Sequence, residues 1–189
     1  RARASQSTAY ALDKLLGRLG LSHRQLDYCL STGYGRKLVP FAQANMSEIS
    51  CHARGAQWLA PSARTVIDVG GQDCKAIRVD GQGSLVDFRM NMKCAAGTGK
   101  ALELIARSLG ISISELGPLA LRSKKPIKID KPCCILAQIE VKRLIFEGTD
   151  RADVAAAAND IVAREIMHLV RDVGKKDDVV VTGGGAKNV

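Results

Sequence analysis

The sequence has few aromatic residues and no long apolar run, and each shortage excludes a class of protein. Phe, Trp and Tyr together make up 4% of the 189 residues, so aliphatic side chains must fill the core. The basic residues are not interleaved with the aromatic side chains on which single-stranded nucleic acid stacks, and we expect no nucleic-acid binding. No apolar run approaches the roughly 20 residues that span a bilayer, so we expect no membrane association by a spanning helix.

The chain also lacks the usual spacing of metal-binding cysteines. It has six cysteines but no Cys-x-x-Cys pair, and only three histidines, so a self-contained zinc site is not supported. The N-terminal residues lack the apolar core of a signal peptide, and we therefore expect a cytoplasmic protein. A disulfide framework is not expected in that reducing compartment, and the cysteines need another explanation.

Positive charge exceeds negative charge. The net charge is +9, from 28 Lys and Arg against 19 Asp and Glu. One dense basic cluster is present, formed by Arg122, Lys124, Lys125, Lys128 and Lys131. Such a cluster is typical of a solvated face or of a docking surface for a partner.

Hydrophobic periodicity and turn residues predict a mixed α/β fold. Helices are predicted over residues 5–19, 47–59, 99–109, 135–146 and 150–173. Strands are predicted over residues 26–32, 65–69, 75–79, 85–90 and 179–181. The second and third of these strands form a hairpin, and a polar segment without regular structure is predicted up to Lys131.

Two glycine-rich turns directly follow apolar strands. The first is Asp68-Val69-Gly70-Gly71-Gln72-Asp73, and the second is Thr182-Gly183-Gly184-Gly185-Ala186-Lys187-Asn188. Without a Cβ, backbone N–H groups can approach a phosphate, and an acidic residue at a strand end can hold a water bound to Mg²⁺. The second turn would let a base and ribose lie against the backbone. Each turn taken alone is also compatible with an ordinary connection between elements.

Two cysteines lie close to the predicted starts of helices. Cys94 lies in Lys93-Cys94-Ala95-Ala96-Gly97-Thr98-Gly99-Lys100, which lacks the P-loop pattern, and Cys133 lies in Lys131-Pro132-Cys133-Cys134. The N-terminus of a helix stabilises negative charge on a thiolate or on a cluster. Two thiolates cannot complete the four ligands of a [4Fe–4S] cluster, but a two-fold axis would double them. In the alternative interpretation, Cys94 is a small buried hydrophobic residue.

Taken in order, these motifs resemble the activator ATPases of 2-hydroxyacyl-CoA dehydratases and the related ATPase subunits of benzoyl-CoA reductase (BadF/BadG/BcrA/BcrD-type ATPases). The matching stretches are Thr32-Gly33-Tyr34-Gly35-Arg36, Glu48-Ile49-Ser50-Cys51-His52-Ala53-Arg54-Gly55-Ala56, Ile67-Asp68-Val69-Gly70-Gly71-Gln72-Asp73, Lys93-Cys94-Ala95-Ala96-Gly97-Thr98-Gly99, Cys133 with Glu140-Val141, and Thr182-Gly183-Gly184. They cover nearly the whole chain, and the ordered set is specific although each glycine turn is not.

The resemblance implies an actin/Hsp70/sugar-kinase ATPase fold of the α/β class, with two ribonuclease-H-like lobes that close over a nucleotide. Residues 1–65 would be the remainder of the N-terminal lobe, and residues 66–189 the second lobe. The first phosphate loop and its acidic catalytic-site residue would precede Arg1, and a closing helix would follow Val189. We therefore expect a fragment that is incomplete at both termini and does not hydrolyse ATP normally. No catalytic residue is assigned.

The resemblance also implies the bound groups. ATP or ADP with Mg²⁺ would be bound by residues of the two glycine turns and of the helix at 99–109, namely Asp68, Gly70, Gly71, Gln72, Asp73, Lys75, Lys100, Glu103, Gly183, Gly184 and Gly185. Lys100 and Glu103 would face the base or ribose. Cys94 and Cys133 from each of two subunits would bind one [4Fe–4S] cluster on the dimer axis, with Cys134 as an alternative to Cys133.

The implied activity is ATP-driven transfer of single electrons from reduced ferredoxin or flavodoxin, through the cluster, to a 2-hydroxyacyl-CoA dehydratase. The subunits would form a homodimer or a paralogous heterodimer. One alternative is the ATPase subunit of a benzoyl-CoA reductase, and others are a small-molecule kinase of the same fold and a cluster-free binding module. A kinase would have no use for Cys94 and Cys133. The sequence departs from the family pattern beside both cluster cysteines. Met92 replaces the acidic residue that usually precedes Lys-Cys, and Gln138-Ile139 replaces the usual Glu-Ser pair.

Overall fold

The computed structural model describes residues 2–91, 98–130 and 133–188. The chain divides into two compact units, Arg1–Gly55 and Ala56–Val189. This division falls inside a helix, whereas the lobe boundary expected from the family lies between residues 65 and 66, at the start of a strand. The assignment of the two parts to the lobes of an ATPase fold stays a prediction.

The first unit contains short strands and long helices. Its elements are α1 (Ala2–Leu19), β1 (Leu30–Ser31), β2 (Ala44–Asn45) and most of α2 (Glu48–Leu59). The two strands pair in parallel. The prediction of a strand over 26–32 is wrong for most of its length, because the N–H of Cys29 donates to the side-chain Oε1 of Gln43 at 2.7 Å rather than to a neighbouring strand.

The second unit is built on a four-stranded sheet in the order β5-β4-β3-β6. Its strands are β3 (Thr65–Val69), β4 (Cys74–Val79), β5 (Leu85–Met90) and β6 (Val179–Thr182). Strands β3 and β4 form the predicted antiparallel hairpin, and β6 runs parallel to β3 with Thr182 opposite Asp68. Because parallel strands end at the same edge of a sheet, the glycine turns that follow β3 and β6 lie side by side.

Helices accompany this sheet. They are α3 (Gly99–Ser108), α4 (Ile113–Ala120), α5 (Cys134–Phe146) and α6 (Arg151–Val173). Helix α6 begins where the Asp150 carboxylate accepts a hydrogen bond from the N–H of Ala152 at 2.7 Å, and it ends at Gly174 with φ of 70°. These caps are local signals, and they explain why its predicted bounds agree with the structure. Within the described ranges, no helix has the length and apolar character needed to cross a bilayer.

Helix α4 lies inside the segment that the sequence predicted to be irregular. Its start carries a capping box, in which Glu115 Oε2 accepts hydrogen bonds from the N–H of Ser112 at 2.8 Å and from its hydroxyl at 2.6 Å. Gly117 and Pro118 weaken the helical pattern in the sequence. Burial compensates, because the Leu116 side chain is fully enclosed in the core formed with α3, α5 and α6. The prediction was wrong because the Ser112-x-x-Glu115 signal was overlooked.

Candidate nucleotide-binding site

A cavity of about 350 Å³ opens beside the ends of β3 and β6. The turns after these strands form one side of it, and α3 with the start of α4 forms the other. The lining residues are Gly71, Gly99, Leu102, Glu103, Ile113, Ser114, Gly184, Gly185, Lys187 and Asn188. Two sequence motifs that are far apart along the chain therefore line one cavity.

Glycine occupies the positions of the two turns for different structural reasons. A Cβ added to Gly71 or Gly184 would have no atom within 4 Å, so these two positions leave open space at the wall of the cavity. Gly183 has φ of 86°, and a Cβ there would lie 2.5 Å from the carbonyl oxygen of Val69. A Cβ on Gly185 would collide with the Val69 side chain. Gly183 and Gly185 thus let the two turns pack together, whereas Gly71 and Gly184 leave room for a ligand.

The start of α3 is hydrogen-bonded to the turn after β3. The N–H of Gly99 donates to the carbonyl of Gly70 at 2.9 Å, and the N–H of Lys100 donates to the carbonyl of Gly71 at 3.0 Å. A Cβ on Gly99 would lie 3.2 Å from that Gly70 oxygen, so the close approach favours glycine. The turn therefore occupies both of these N–H groups. Sequence analysis did not detect this contact.

Three of the predicted ATP- and Mg²⁺-binding residues form a charged group at the base of the turn. Lys75 lies opposite Asp68 in the β3–β4 pair, with 3.5 Å between Nζ and Oδ2, and its Nζ also donates to Asp73 Oδ1. Burial by itself lowers the pKa of Lys75, but the hydrogen bond and charge of Asp73, with those of Asp68, outweigh it and the pKa is raised. Lys75 is therefore a charged ammonium held between two carboxylates.

The other predicted residues are distributed around the cavity. Glu103 lines it, and Lys100 Nζ bonds to Glu103 Oε2 at 2.9 Å, which lowers the pKa of that carboxyl group. Lys100 is not among the lining residues. Gln72 is exposed in the turn after β3, and Gly70 contributes its N–H to the Asp73 carbonyl at 3.0 Å within that turn.

Sequence analysis assigned no role to three residues of the cavity wall, Leu102, Ile113 and Ser114. Leu102 and Ile113 give it apolar surface, and Ser114 adds a hydroxyl. Asn188 donates from Nδ2 to Asn159 Oδ1 at 2.9 Å, while its buried Oδ1 has no partner among the residues that the structure describes. Apolar walls with a few polar groups are typical of a small-molecule site.

Of the two predicted cluster ligands, the structure describes Cys133. Cys94 lies outside the described residues, and no group of three or more metal-binding side chains occurs within the described ranges. Cys133 is half-buried at the N-cap of α5, and its carbonyl accepts from the N–H of Ala137 at 2.8 Å. Gln138, one of the departures from the family pattern, donates to Ser108 Oγ at 3.2 Å and so links α5 to α3.

The chain that leads to Cys133 is held by α6. Asp153 is almost fully buried and accepts hydrogen bonds from Ser123 Oγ at 2.7 Å and from the N–H groups of Lys124 and Lys125 at 3.0 Å each. Further along, Arg164 Nη2 donates to the carbonyl of Ile129 at 2.8 Å. Part of the predicted basic cluster is thus fixed by one buried carboxylate.

Cys74 has a different environment from Cys133. It is fully buried in the core beneath the turn after β3. Burial raises the pKa of its thiol to about 11, with smaller contributions from neighbouring groups. It is consequently a neutral thiol near pH 7 and a poor candidate for a metal ligand.

The whole chain, residues 1–189, matches the BadF/BadG/BcrA/BcrD ATPase family, and it belongs to that family. It is 40% identical over 181 residues to the (R)-2-hydroxyglutaryl-CoA dehydratase activating ATPase of Acidaminococcus fermentans, covering 95% of this chain and 69% of the relative. The crystal structure of component A of that dehydratase superposes with a TM-score of 0.82, covering 95% of this chain and 70% of the other.

Two further relatives bear on the function. The activator of 2-hydroxyisocaproyl-CoA dehydratase from Clostridium difficile, solved with bound ADPNP, is 38% identical with a TM-score of 0.82, covering 95% of this chain and 67% of the other. One of the benzoyl-CoA reductase subunits of Thauera aromatica is 34% identical over 175 residues, covering 93% of this chain and 62% of the relative. The chain spans about two-thirds of the length of these curated relatives.

These findings confirm the predicted family, and the mixed sheet with its helices confirms the predicted α/β class. The chain is a member of a family of ATPases whose similar relatives are activators of 2-hydroxyacyl-CoA dehydratases. The roles of individual residues stay predictions.

Proposed function

We propose that the chain is the nucleotide-binding part of an ATP-hydrolysing activator that transfers single electrons to a 2-hydroxyacyl-CoA dehydratase. The observation that carries the proposal is the cavity between the two glycine turns, together with the hydrogen bonds from α3 to the turn after β3. The cavity supplies a site for a nucleotide. The hydrogen bonds connect that site to the start of α3, which follows the Cys94 segment in the sequence.

The residues around the cavity fit a nucleotide with its metal ion. The open space at Gly71 and Gly184 leaves room for phosphates near backbone groups, and Leu102 with Ile113 provides apolar surface for a base. The Glu103 carboxylate at the cavity wall can accept hydrogen bonds from ribose hydroxyls or an exocyclic amine. Asp68 and Asp73 offer the oxygen ligands that Mg²⁺ prefers, and bound Mg²⁺ would neutralise phosphate charge.

The second part of the proposal is a [4Fe–4S] cluster bound by Cys94 and Cys133 from each of two subunits. A cluster supplies one-electron redox chemistry when bound. In support, Cys133 lies half-buried at the start of α5, so its sulfur is not enclosed in the core. Ile135, Leu136 and Ile139 follow it with 48 to 62% exposure. Exposed apolar residues beside a cluster ligand suit contact with a second subunit.

The third part is a link between nucleotide and cluster. Two sites influence each other only through an element whose alternative states both sites bias. Helix α3 is the candidate for this element, since the N–H groups of Gly99 and Lys100 bind the turn after β3, and the Cys94 segment immediately precedes the helix in the sequence. A change in that turn on ATP hydrolysis would displace the start of α3.

The alternative partner is a benzoyl-CoA reductase. The 34% identity to the Thauera aromatica benzoyl-CoA reductase subunit makes an ATPase subunit of such a reductase the second candidate. In that case Cys94 and Cys133 would bind a cluster that is shared between two different subunits. Reduced ferredoxin or flavodoxin would donate the electron in either system.

The proposal is tested on the complete protein, prepared without oxygen, by iron and sulfide analysis. We expect about one [4Fe–4S] cluster per dimer, and we expect Cys94→Ser or Cys133→Ser to abolish it. Cys29→Ser is the matched control and should keep the cluster, because Cys29 lies in the first unit next to a short strand. Full iron content in either ligand variant would refute the cluster assignment.

ATP-dependent reduction of a dehydratase, compared with that of a benzoyl-CoA reductase component, then separates the two candidate partners. We expect electron transfer to the dehydratase with ATP and none with ADP. Transfer that is equally fast with ATP and ADP would refute the proposed activator function.

A further inference from the structure

Lys75 is a buried lysine whose side chain is only 7% exposed, close to the turn after β3. A lysine beside a phosphate loop is expected to contact phosphate directly. We propose instead that Lys75 is a positioning residue, which holds Asp68 and Asp73 in place for the metal ion of the nucleotide and does not itself bind phosphate. This inference rests on the nucleotide site proposed above.

The first argument is the pairing of the strands. Lys75 and Asp68 face each other directly across the β3–β4 pair, so their side chains lie on the same face of the sheet. The Lys75 ammonium lies 3.5 Å from Asp68 Oδ2 and donates a hydrogen bond to Asp73 Oδ1. One ammonium therefore connects the end of β3 to the last residue of the turn.

The second argument is the position of the other Asp68 oxygen. A Cβ on Gly183 would lie 2.6 Å from Asp68 Oδ1, so this oxygen faces the start of the turn after β6. The Asp68 carboxylate thus has Lys75 on one side and the second glycine turn on the other. Its orientation affects the spacing of the two turns that line the cavity.

The third argument is electrostatic. Two carboxylates and one ammonium give this group a net charge of −1, and a buried ammonium is stable only with its charge paired. A phosphate group would have to compete with the Asp68 and Asp73 carboxylates for the Lys75 ammonium. The negative group is a better ligand for Mg²⁺ than for an anion.

The fourth argument is that the cavity has another lysine at its wall. Lys187 lines the cavity, whereas the Lys75 ammonium is enclosed between two carboxylates. Lys187 is exposed, so its ammonium can reach a ligand at low cost. The direct contact with phosphate is therefore assigned to Lys187, and the support of the metal-binding carboxylates to Lys75.

The test measures ADP binding by calorimetry on the complete protein, once with Mg²⁺ and once with EDTA. We expect Lys75→Met to weaken Mg²⁺–ADP binding about ten- to a hundredfold, because loss of the fixed carboxylate orientation outweighs the removal of one positive charge near the metal ion. Metal-free ADP binding should be unchanged. Lys75→Arg should recover most of the affinity. Lys187→Met is the matched control and should weaken binding equally with Mg²⁺ and with EDTA.

Each other outcome decides against the inference. Equal weakening by Lys75→Met in Mg²⁺ and EDTA would mean that Lys75 contacts phosphate directly, and unchanged affinity in both would mean that it does not position the carboxylates. Should Lys75→Met fail to fold, Lys75→Gln keeps a donor without the charge, and the same comparison applies. Absence of nucleotide binding by the unaltered protein would instead overturn the proposed function, and this inference with it.

Discussion

Gly71 allows the nucleotide site to be tested without disturbing the fold. A Cβ added there meets no atom within 4 Å, and its φ is not among the positive values that only glycine adopts easily. Gly71→Ala should therefore fold normally and leave the free energy of unfolding within about 0.5 kcal/mol of its original value. The added methyl group occupies space at the wall of the cavity where we place a phosphate.

The expected loss of affinity follows from the contact that the methyl group displaces. A hydrogen bond to a charged group contributes roughly 1.5–3 kcal/mol, so losing one between backbone and phosphate weakens ADP binding about ten- to hundredfold. Calorimetry measures this affinity, and a thermal melt measures the stability. Unchanged ADP affinity in Gly71→Ala would refute the placement of the phosphates beside the turn after β3.

Two other glycines provide controls. Gly55→Ala in α2 also has an unobstructed Cβ, does not line the cavity, and should raise stability by about 0.5–1 kcal/mol without changing affinity. Gly70→Val has a different effect. Its Cβ would lie 2.6 Å from the Asp73 carbonyl oxygen, so it would distort the turn itself, lowering both stability and affinity.

Three predictions concern stability. The N–H of Lys125, followed by the Ser123 hydroxyl, lowers the pKa of Asp153, so its contribution to stability is present above the ordinary aspartate pKa of about 3.9 and is lost as the pH falls through and below that value. Asp153→Asn should flatten this acid dependence in denaturant titrations from about pH 3 to about pH 7, and an unaltered profile would contradict the assignment. Leu116→Ala, at a fully buried site in α4, should cost about 2–5 kcal/mol in urea unfolding, and a loss under about 1 kcal/mol would show that α4 does not pack as described. Asp150→Ala removes the N-cap of α6 and should cost about 1 kcal/mol, measured in the same way, whereas no loss would mean that the cap does not stabilise the helix.

The sequence determined those features that depend on local signals. Apolar runs followed by glycines located β3 and β6 with their turns, and Asp150 with Gly174 marked the ends of α6. The helix of α5 was also predicted nearly to its observed start beside Cys133. Capping, turn formation and hydrophobic periodicity act over a few residues, and these features were therefore visible without a fold. The same signal is present at Ser112 and Glu115, but Gly117 and Pro118 weaken the helical pattern that follows it.

Only the tertiary structure decided which distant groups meet. The parallel pairing of Asp68 with Thr182 brings the two glycine turns together, and it arises from burial of the whole sheet rather than from either strand. The hydrogen bonds from α3 to the turn after β3, and the two carboxylates around Lys75, depend on that packing as well. The sequence predicted that Lys75 belongs to the nucleotide site. Only the folded structure shows that its ammonium pairs with Asp68 and Asp73, because electrostatic energy depends on distance in space and not along the chain.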